Sequence, residues 1–314
     1  MPAYIVRRLA LVLLTLLISS AVIFIVTQIL PGDAARAILG RFATPQALAN
    51  LRAKLGLDRP LLMQYGSWLV HYLQGDWGLS LSTGEAVFTL VAARLRNSAM
   101  LALVAFFMYV PLGVLLGLFS ALRRGRLSDQ IISITSLAFI GLPEFVTGLV
   151  LIAVFALRLD WLPASSDIRP DSSFIAALPR LILPGVTVSL VSLAYITRMT
   201  RSSTSDVLST DYVRSAYLKG LHPVRVLFTH VLRNSLLPTV TVVAVGIGWL
   251  IGGLIVTESL FGYPGLGRLL LFAIQRRDLP LLQAIALLLV VIFSVSNLLA
   301  DVVYALLNPR IRYT

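Results

Sequence analysis

Apolar runs of about 20 residues recur along this 314-residue chain, and they constrain its fold more than any other feature. A run of this length spans the hydrocarbon core of a bilayer as an α-helix. The sequence therefore predicts an all-α membrane protein with six transmembrane helices and both termini on the same side. The approximate limits of the six spans are 9–30, 98–122, 130–157, 181–198, 234–257 and 281–307.

Composition supports a polytopic membrane protein. Hydrophobic residues make up 58% of the chain and charged residues only 13%, against roughly 25% in soluble domains. The net charge of +12 does not indicate nucleic-acid binding, because no basic stretch is interleaved with exposed aromatic residues. Lys and Arg instead mark helix ends that face the cytoplasm. The absence of cysteine excludes disulfides, thiolate catalysis and Cys-ligated metals.

The distribution of charge predicts that both termini are cytoplasmic. With this orientation the Lys and Arg residues divide evenly between the two sides. The positive-inside rule, however, counts only the Lys and Arg residues of short loops and helix flanks. The predicted inside loops are shorter and denser in charge, and the long segment 31–97 holds much of the outside charge. Residues 9–32 carry no charge, a run longer than the core of a secretory signal. We therefore expect a retained first helix in a cytoplasmic (inner) membrane.

The segment 31–97 is too long to be a simple connector. Thr44 and Pro45 are typical of a helix N-cap and first position, and Gly56 of a helix stop. A second helix is predicted after Pro60, and it carries Tyr and Trp residues that prefer membrane interfaces. We expect a folded, extracytoplasmic helical cap on the membrane surface.

A polar, basic stretch separates the fourth and fifth spans, and it is far longer than two helices need for a connection. Its first part, Asp206 to Lys219, is predicted to form one amphipathic helix with Val207, Tyr212, Ala216 and Leu218 partly on one side. Gly220 is predicted to end this helix, and Pro223 to begin another. Two interpretations follow from the residues alone: a docking surface for a partner that pushes on the membrane domain, or a solvated loop that only sets topology.

The motifs of common hydrolases and nucleotide-binding sites are missing. The chain contains no HExxH, GxSxG or GxxxxGK[ST] pattern. Its three histidines, His71, His222 and His230, are not spaced as metal ligands. Without a phosphate-binding loop the chain is not expected to hydrolyse ATP, so ATP-driven transport would need a separate ATPase subunit.

Several blocks of the chain resemble the B-type permease subunits of the dipeptide/oligopeptide/nickel branch of ATP-binding-cassette (ABC) importers. The resemblance runs nearly end to end, and the order and spacing of the blocks make it specific. One departure is that the family's Glu-Ala-Ala core reads Arg214-Ser215-Ala216 here. The blocks that carry the resemblance are Leu55–Asp58, Gly75–Ser80, Asp211–Arg214, Lys219–Gly220, Arg233–Asn234, Pro238, Glu258, Phe261–Arg268, Arg277–Asp278 and Asn308–Tyr313.

The resemblance implies a type-I importer permease core at about 94–305, preceded by the first helix and cap at 1–93 and followed by a cytoplasmic tail at 306–314. It implies four kinds of partner: a homologous second permease, two ATPases, an extracytoplasmic solute-binding protein and membrane lipid. No cofactor is expected on this chain, since ATP and Mg²⁺ would bind the ATPases. The residues implied to couple ATPase movement to the membrane domain are Asp211, Arg214, Ser215, Ala216, Lys219, Gly220 and Pro238.

A second group of residues is predicted to line the translocation path or its gate: Glu144, Glu258, Tyr263 and Pro264. Glu144 is unusual because a carboxylate within a span costs on the order of 2.5–3.5 kcal/mol to insert. Two interpretations remain for Glu144: contact with the solute path or partner permease, or a position near an interface, bonded to a helix end freed by Pro143. The turn around Tyr263 and Pro264 reads either as a gate or binding-protein contact, or as an ordinary Gly/Pro loop.

Two other classes of protein are alternatives to the importer permease. An ion-coupled carrier would place Glu144 in its translocation path, but it needs paired intramembrane charges across inverted repeats. The chain lacks the motifs expected of an intramembrane enzyme. A carrier would transport solute alone and an enzyme would turn over substrate, whereas an isolated ABC permease does neither. Among importer substrates, small peptides are favoured over nickel chelates, glutathione, opines and oligosaccharides only as the commonest class.

Overall fold

The computed structural model describes residues 2–29, 44–54, 58–168 and 173–307. These residues are almost entirely helical and contain no strand beyond an isolated bridge between Leu79 and Ala86. The predicted helix stop at Gly56 and the tail beyond residue 307 lie outside the described residues. The all-α prediction is confirmed.

The helices are numbered here in chain order over the described residues. Two of them continue into a π-helical turn: α6 into Ile152–Arg158 and α9 into Leu227–Val231. The bounds are α1 Pro2–Ile29, α2 Pro45–Lys54, α3 Leu61–Leu73, α4 Val87–Leu122, α5 Leu127–Gly141, α6 Glu144–Leu151, α7 Phe174–Leu208, α8 Asp211–Leu218, α9 Pro223–Val226, α10 Leu232–Leu260, α11 Leu266–Arg276 and α12 Leu279–Leu307.

Five helical stretches in the described residues are long and apolar enough to cross a membrane. A sixth crossing exists if the bent pair Leu127–Gly141 and Glu144–Arg158 is counted as one span. The third span, predicted at 130–157, is broken in the structure, because the chain bends by 109° between its two helices. The cause is local: Leu142 and Pro143 are extended, and proline disfavours the helical conformation in the residue before it.

The chain divides into two compact units, and the first comprises residues 1–5, 99–263 and 295–314. Its core lies mainly between α4, α7 and α10 and includes Tyr109, Leu181, Leu250 and Tyr263. Within this unit α4 and α7 approach each other closely. A Cβ on Gly117 would lie 2.5 Å from the Thr197 carbonyl oxygen, so α7 packs directly on the backbone of α4.

The second unit comprises residues 6–98 and 264–294. Its core joins the start of α4 to α11 and the start of α12. Asp278 is fully buried and accepts hydrogen bonds from the Ser80 hydroxyl at 2.6 Å and the Ser82 amide at 3.0 Å. These bonds tie the loop before α4 to the turn before α12.

The helices predicted for the cap are present in this second unit. Thr44 caps α2, with its Oγ1 accepting a hydrogen bond from the Ala47 amide at 3.3 Å, and α3 begins directly after Pro60. Tyr65 of α3 bonds the Ser20 hydroxyl of α1 at 2.7 Å, and Tyr72 donates to the Ala284 carbonyl of α12 at 3.3 Å. Burial raises the pKa of Tyr72 to about 12. The extracytoplasmic position of the cap remains a prediction.

Candidate functional site

The polar stretch after α7 folds into a helical hairpin, α8–α9. The predicted single helix from Asp206 to Lys219 is wrong, because the chain breaks at Ser209 and Thr210. Their hydroxyls bond back to the carbonyls of Asp206 and Val207 at 2.7 and 2.6 Å. The amides of Ser209 and Thr210 donate to the same two carbonyls at 3.2 and 3.1 Å. Side chain and backbone together close the last turn of α7, and α8 begins at Asp211.

The helix stop predicted at Gly220 is confirmed. Gly220 has φ +77°, a conformation that glycine adopts without a steric penalty. The Leu221 amide donates to the Ala216 carbonyl at 3.3 Å, and the Gly220 amide donates to the Tyr217 carbonyl at 2.9 Å. This pair of bonds is a Schellman motif, which satisfies the last carbonyls of α8. Pro223 then occupies the first position of α9, as predicted.

The hairpin has a small apolar core of its own. Val213 and Ala216 of α8 are buried against Val226 and Val231. The predicted apolar side of the helix is therefore only partly right. Ala216 faces inward, whereas Tyr212 and Leu218 are exposed. Because α8 and α9 bury a shared core, the hairpin can move as one body.

The outer surface of the hairpin carries most of the predicted coupling residues. Exposed apolar side chains lie among the charges, with Leu218 81% and Phe228 65% exposed. Exposed apolar patches rimmed by polar side chains mark sites of protein or membrane interaction. Pro238 is not part of the hairpin, because it lies inside α10. The predicted residues exposed on the hairpin are Asp211, Arg214, Ser215, Lys219 and Gly220.

A polar link joins the hairpin to α10. Asn234 Nδ2 donates to the Tyr212 hydroxyl at 3.0 Å and to the His230 carbonyl at 3.1 Å. Tyr212 in turn donates to the same His230 carbonyl at 3.4 Å. Sequence reasoning missed this role for Tyr212, since the residues are far apart along the chain. The family blocks Asp211–Arg214 and Arg233–Asn234 contain the two partners, but the blocks alone do not show that they meet.

Hydroxyl groups connect α7 to α10 along the same end of the first unit. Ser203 donates to the Ser235 carbonyl at 2.8 Å, and the Thr200 and Thr239 hydroxyls are 3.1 Å apart. The two longest helices behind the hairpin are therefore bonded to each other. These contacts hold α7 and α10 together at the end of the first unit from which the hairpin begins.

An ion pair fixes this end of α7 to α5. Arg201 donates from Nε and Nη2 to the two carboxylate oxygens of Asp129 at 2.5 and 2.8 Å. The Ser120 hydroxyl and the Gly125 amide also donate to Asp129, at 2.5 and 2.9 Å. Asp129 was absent from every sequence-based site, because a single Asp near a helix start reads as a simple first-turn acid.

The residues predicted for the gate lie near the opposite end of α10. Glu144 is the first residue of α6, and its carboxylate accepts a hydrogen bond from the Thr257 hydroxyl of α10. Gly253, one turn before Thr257, leaves room for the carboxylate. A Cβ on Gly253 would lie 2.8 Å from Glu144 Oε2. Glu144 is half-buried and links α6 to α10.

Glu258 and Tyr263 are both fully buried in the first unit. The Tyr263 amide donates to the Glu258 carbonyl at 2.8 Å, which closes the end of α10. Burial, and secondarily the charge of Glu258, raise the pKa of Tyr263 well above its usual range. Tyr263 is therefore a neutral hydroxyl at physiological pH.

Pro264 belongs to the second unit, where its carbonyl accepts a hydrogen bond from Asn97 at 2.8 Å. The Ser98 hydroxyl accepts a bond from the Leu266 amide at 2.8 Å. The structure therefore places Glu144, Glu258 and Tyr263 together in one unit, and Pro264 in the other. Among the described residues there is no group of three His, Asp or Glu side chains that could hold a metal ion.

Several helices long enough to cross a membrane and a helical hairpin with exposed apolar side chains are consistent with the membrane subunit of a transporter. Residues 113–313 match the family described as the inner membrane component of binding-protein-dependent transport systems, and residues 1–102 match the N-terminal region of such membrane components. The chain belongs to this family, the permease subunits of ABC importers.

Three relatives illustrate the family. The chain is 38% identical to a probable peptide ABC transporter permease, y4tP, of Sinorhizobium fredii over the whole of both chains. It is 38% identical to the di/tripeptide permease DppB of Pseudomonas aeruginosa, over 100% of this chain and 99% of the relative. It is 38% identical to the glutathione permease GsiC of Escherichia coli, over 99% of both chains.

The chain is thus a multi-pass inner-membrane permease subunit of an ABC importer. It is a non-enzymatic subunit, and ATP hydrolysis resides in partner subunits of such systems. The ion-coupled carrier is not favoured by these relationships. Importers of this class generally work with a second permease, ATPase subunits and a solute-binding protein.

Proposed function

We propose that this permease imports small peptides or glutathione-like solutes and that its α8–α9 hairpin is the docking element for an ATPase subunit. The observation that carries the proposal is the hairpin's two-sided construction. One face is a closed apolar core with Val213 and Ala216, while the other presents Leu218 and Phe228 between basic side chains. The peptide and glutathione transport named for the relatives supports the substrate class.

In this proposal the coupling residues have separable roles. Leu218 and Tyr217 contact the ATPase, Arg214 and Lys219 provide complementary charge, and Ser215 lies on the same exposed surface. Asp211 stabilises the start of α8 through the helix dipole. Ala216 and Gly220 maintain the shape of the hairpin, and Pro238 sets the geometry of α10, where it removes one backbone hydrogen bond.

Movement of the hairpin is proposed to reach the gate through α10. Tyr212 and Asn234 join α8 to the start of α10, and Glu144 joins α6 to its other end through Thr257. A helix of 29 residues is about 43 Å long, enough to cross a bilayer. ATP-driven closure of the two ATPases would then bias this unit between an inward-open and an outward-open state.

The outer gate is formed or supported by Glu144, Glu258, Tyr263 and Pro264. Their burial favours gating over direct contact with the solute-binding protein. Both termini are cytoplasmic, the cap is extracytoplasmic, and the core of about 94–305 pairs with a second, homologous permease. ATP and Mg²⁺ bind the two ATPases, and this chain binds neither.

The test is purification of the tagged chain with the products of its neighbouring genes. The expected result is a complex containing ATPase subunits, whose ATP hydrolysis is stimulated by the solute-binding protein loaded with dialanine or glutathione. Leu218→Glu is expected to release the ATPase, and Gly220→Asp to uncouple hydrolysis from uptake. Leu218→Met, which keeps the apolar surface, is the matched control.

Two results would contradict the proposal. A Leu218→Glu complex that retains the ATPase in full would show that the hairpin is not the docking surface. A chain that purifies without any ATPase and moves solute by itself in proteoliposomes would restore the carrier, with Glu144 at the centre of its mechanism.

A further inference from the structure

A groove of about 420 Å³ lies within the first unit, between α4, α7 and α10. It is central along the helices, since Thr241 to Gly246 occupy the middle of α10. The volume is in the range of small-molecule sites, which are mostly apolar with a few polar groups. The polar groups here are the hydroxyls of Tyr109, Ser192, Tyr195 and Thr241.

Tyr109 presents an unsatisfied hydrogen-bonding group at this groove. Its side chain is fully buried, and its hydroxyl has no hydrogen-bond partner among the described residues. The hydroxyl points toward Gly246, where an added Cβ would lie 4.0 Å away. An unpaired buried hydroxyl costs free energy, and a solute group or a water molecule that bonds the Tyr109 hydroxyl would remove that cost.

On α7 the exposed surface beside the groove is polar, whereas on α10 it includes the apolar Val245. Ser192, Tyr195, Arg198 and Ser202 follow one another at spacings of three or four along α7 and so share one face. By contrast, the exposed side chains of α4 at this depth are Leu103, Phe107 and Leu115. Polar groups at membrane depth are unfavourable against lipid. A position against water or protein suits the α7 face, and a position against lipid suits the α4 face.

We propose that the groove is a solute-contact subsite on the translocation path, which takes the uncharged amide backbone and apolar side chains of a small peptide. No residue that lines the groove carries a formal charge at neutral pH, so the charged ends of the peptide lie outside it. The Tyr109 hydroxyl bonds a peptide carbonyl or amide as the solute passes. This assignment rests on the proposed function and adds a location and a chemistry to it.

The natural absence of cysteine allows a direct test in the assembled importer. Single substitutions Ser192→Cys and Tyr195→Cys place a thiol on the polar face, and Phe107→Cys places one on the α4 face, where Phe107 is 69% exposed. A charged, membrane-impermeant methanethiosulfonate reacts with thiolates, which form in water. The rate at which the reagent modifies this chain is measured. The same measurement on the complex with the unsubstituted chain, which has no cysteine, gives the background.

The expected result is that both α7 thiols react at least tenfold faster than Phe107→Cys. Dialanine or glutathione, supplied with the solute-binding protein and ATP, is expected to slow that reaction severalfold. Reaction as slow as that of Phe107→Cys would show a lipid-covered groove and overturn the proposal. Fast reaction that neither solute slows would also overturn it, because the face would be aqueous but not a solute contact.

Tyr109→Phe provides a second, independent measurement. Because it removes an unpaired hydroxyl, the variant is expected to keep or gain thermal stability. Its uptake is nevertheless expected to fall by about two- to tenfold, the value of one hydrogen bond. Unchanged uptake would exclude Tyr109 from the path. If the unsubstituted complex imports neither dialanine nor glutathione, the proposed substrate class fails, while the relative thiol reactivities still decide whether the groove is aqueous.

Discussion

Arg201 binds both carboxylate oxygens of Asp129, with Nε 2.5 Å from Oδ1 and Nη2 2.8 Å from Oδ2. Asp129 is buried, whereas about a third of the Arg201 side chain is exposed. The two residues join α5 to α7 close to the point where α7 leads into the hairpin. A bidentate pair fixes orientation as well as distance, so it holds the helix that carries the hairpin.

Removing the charge of Asp129 is expected to destabilise the permease. Asp129→Asn keeps the size of the side chain but leaves the guanidinium without its charged partner. The expected loss is about 1–3 kcal/mol, less than for a fully buried pair because Arg201 is partly exposed. Thermal unfolding of the purified complex measures it. Arg124→Gln, at an exposed arginine in the turn before α5, is the control and is expected to be neutral.

The close approach of α4 and α7 depends on Gly117. In Gly117→Ala the added Cβ would meet the Thr197 carbonyl oxygen at 2.5 Å and Thr200 Cβ at 2.6 Å, so the helices must separate. Overpacking of this kind costs about 1–3 kcal/mol. Gly141→Ala is a matched control, because no atom lies within 4 Å of its added Cβ. Equal thermal stability of the two variants would show that α4 and α7 are not in such close contact.

The left-handed conformation of Gly220 predicts a graded response to substitution. Gly220→Ala strains the backbone at φ +77° by about 1–2 kcal/mol, and the hairpin is expected to lose part of its coupling. Gly220→Asn is expected to be milder, since Asn adopts this conformation more readily. The measurement is solute imported per ATP hydrolysed. Asn performing worse than Ala would argue against a conformational role for Gly220.

Glu144 is predicted to contact the positively charged end of solutes. Glu144→Gln retains an oxygen that can accept the Thr257 bond but removes the charge. Uptake of a cationic dipeptide such as dilysine is expected to fall by about two- to fivefold relative to dialanine. Glu85→Gln, in an exposed loop of the second unit, is the control. An equal effect on both peptides would remove Glu144 from solute recognition.

Local sequence signals predicted much of the fold correctly. Apolar runs marked the spans because the bilayer requires a fixed length of helix. Pro60 and Pro223 marked helix starts, and Gly220 marked a helix stop. Proline fixes its own φ angle, and glycine adopts positive φ angles that other residues avoid. The predicted helix Asp206–Lys219 was wrong because it overlooked side chains that bond the backbone locally. The hydroxyls of Ser209 and Thr210 bond the carbonyls of Asp206 and Val207, where α7 ends.

The order and spacing of short motifs in the sequence determined the family and hence the class of transporter. Only the tertiary structure decided which side chains meet. Asp129 with Arg201, Tyr212 with Asn234, and Glu144 with Thr257 are separated by 72, 22 and 113 residues. No local preference encodes such pairs, because they depend on how distant helices pack. The unpaired hydroxyl of Tyr109 likewise becomes visible only when three helices enclose it.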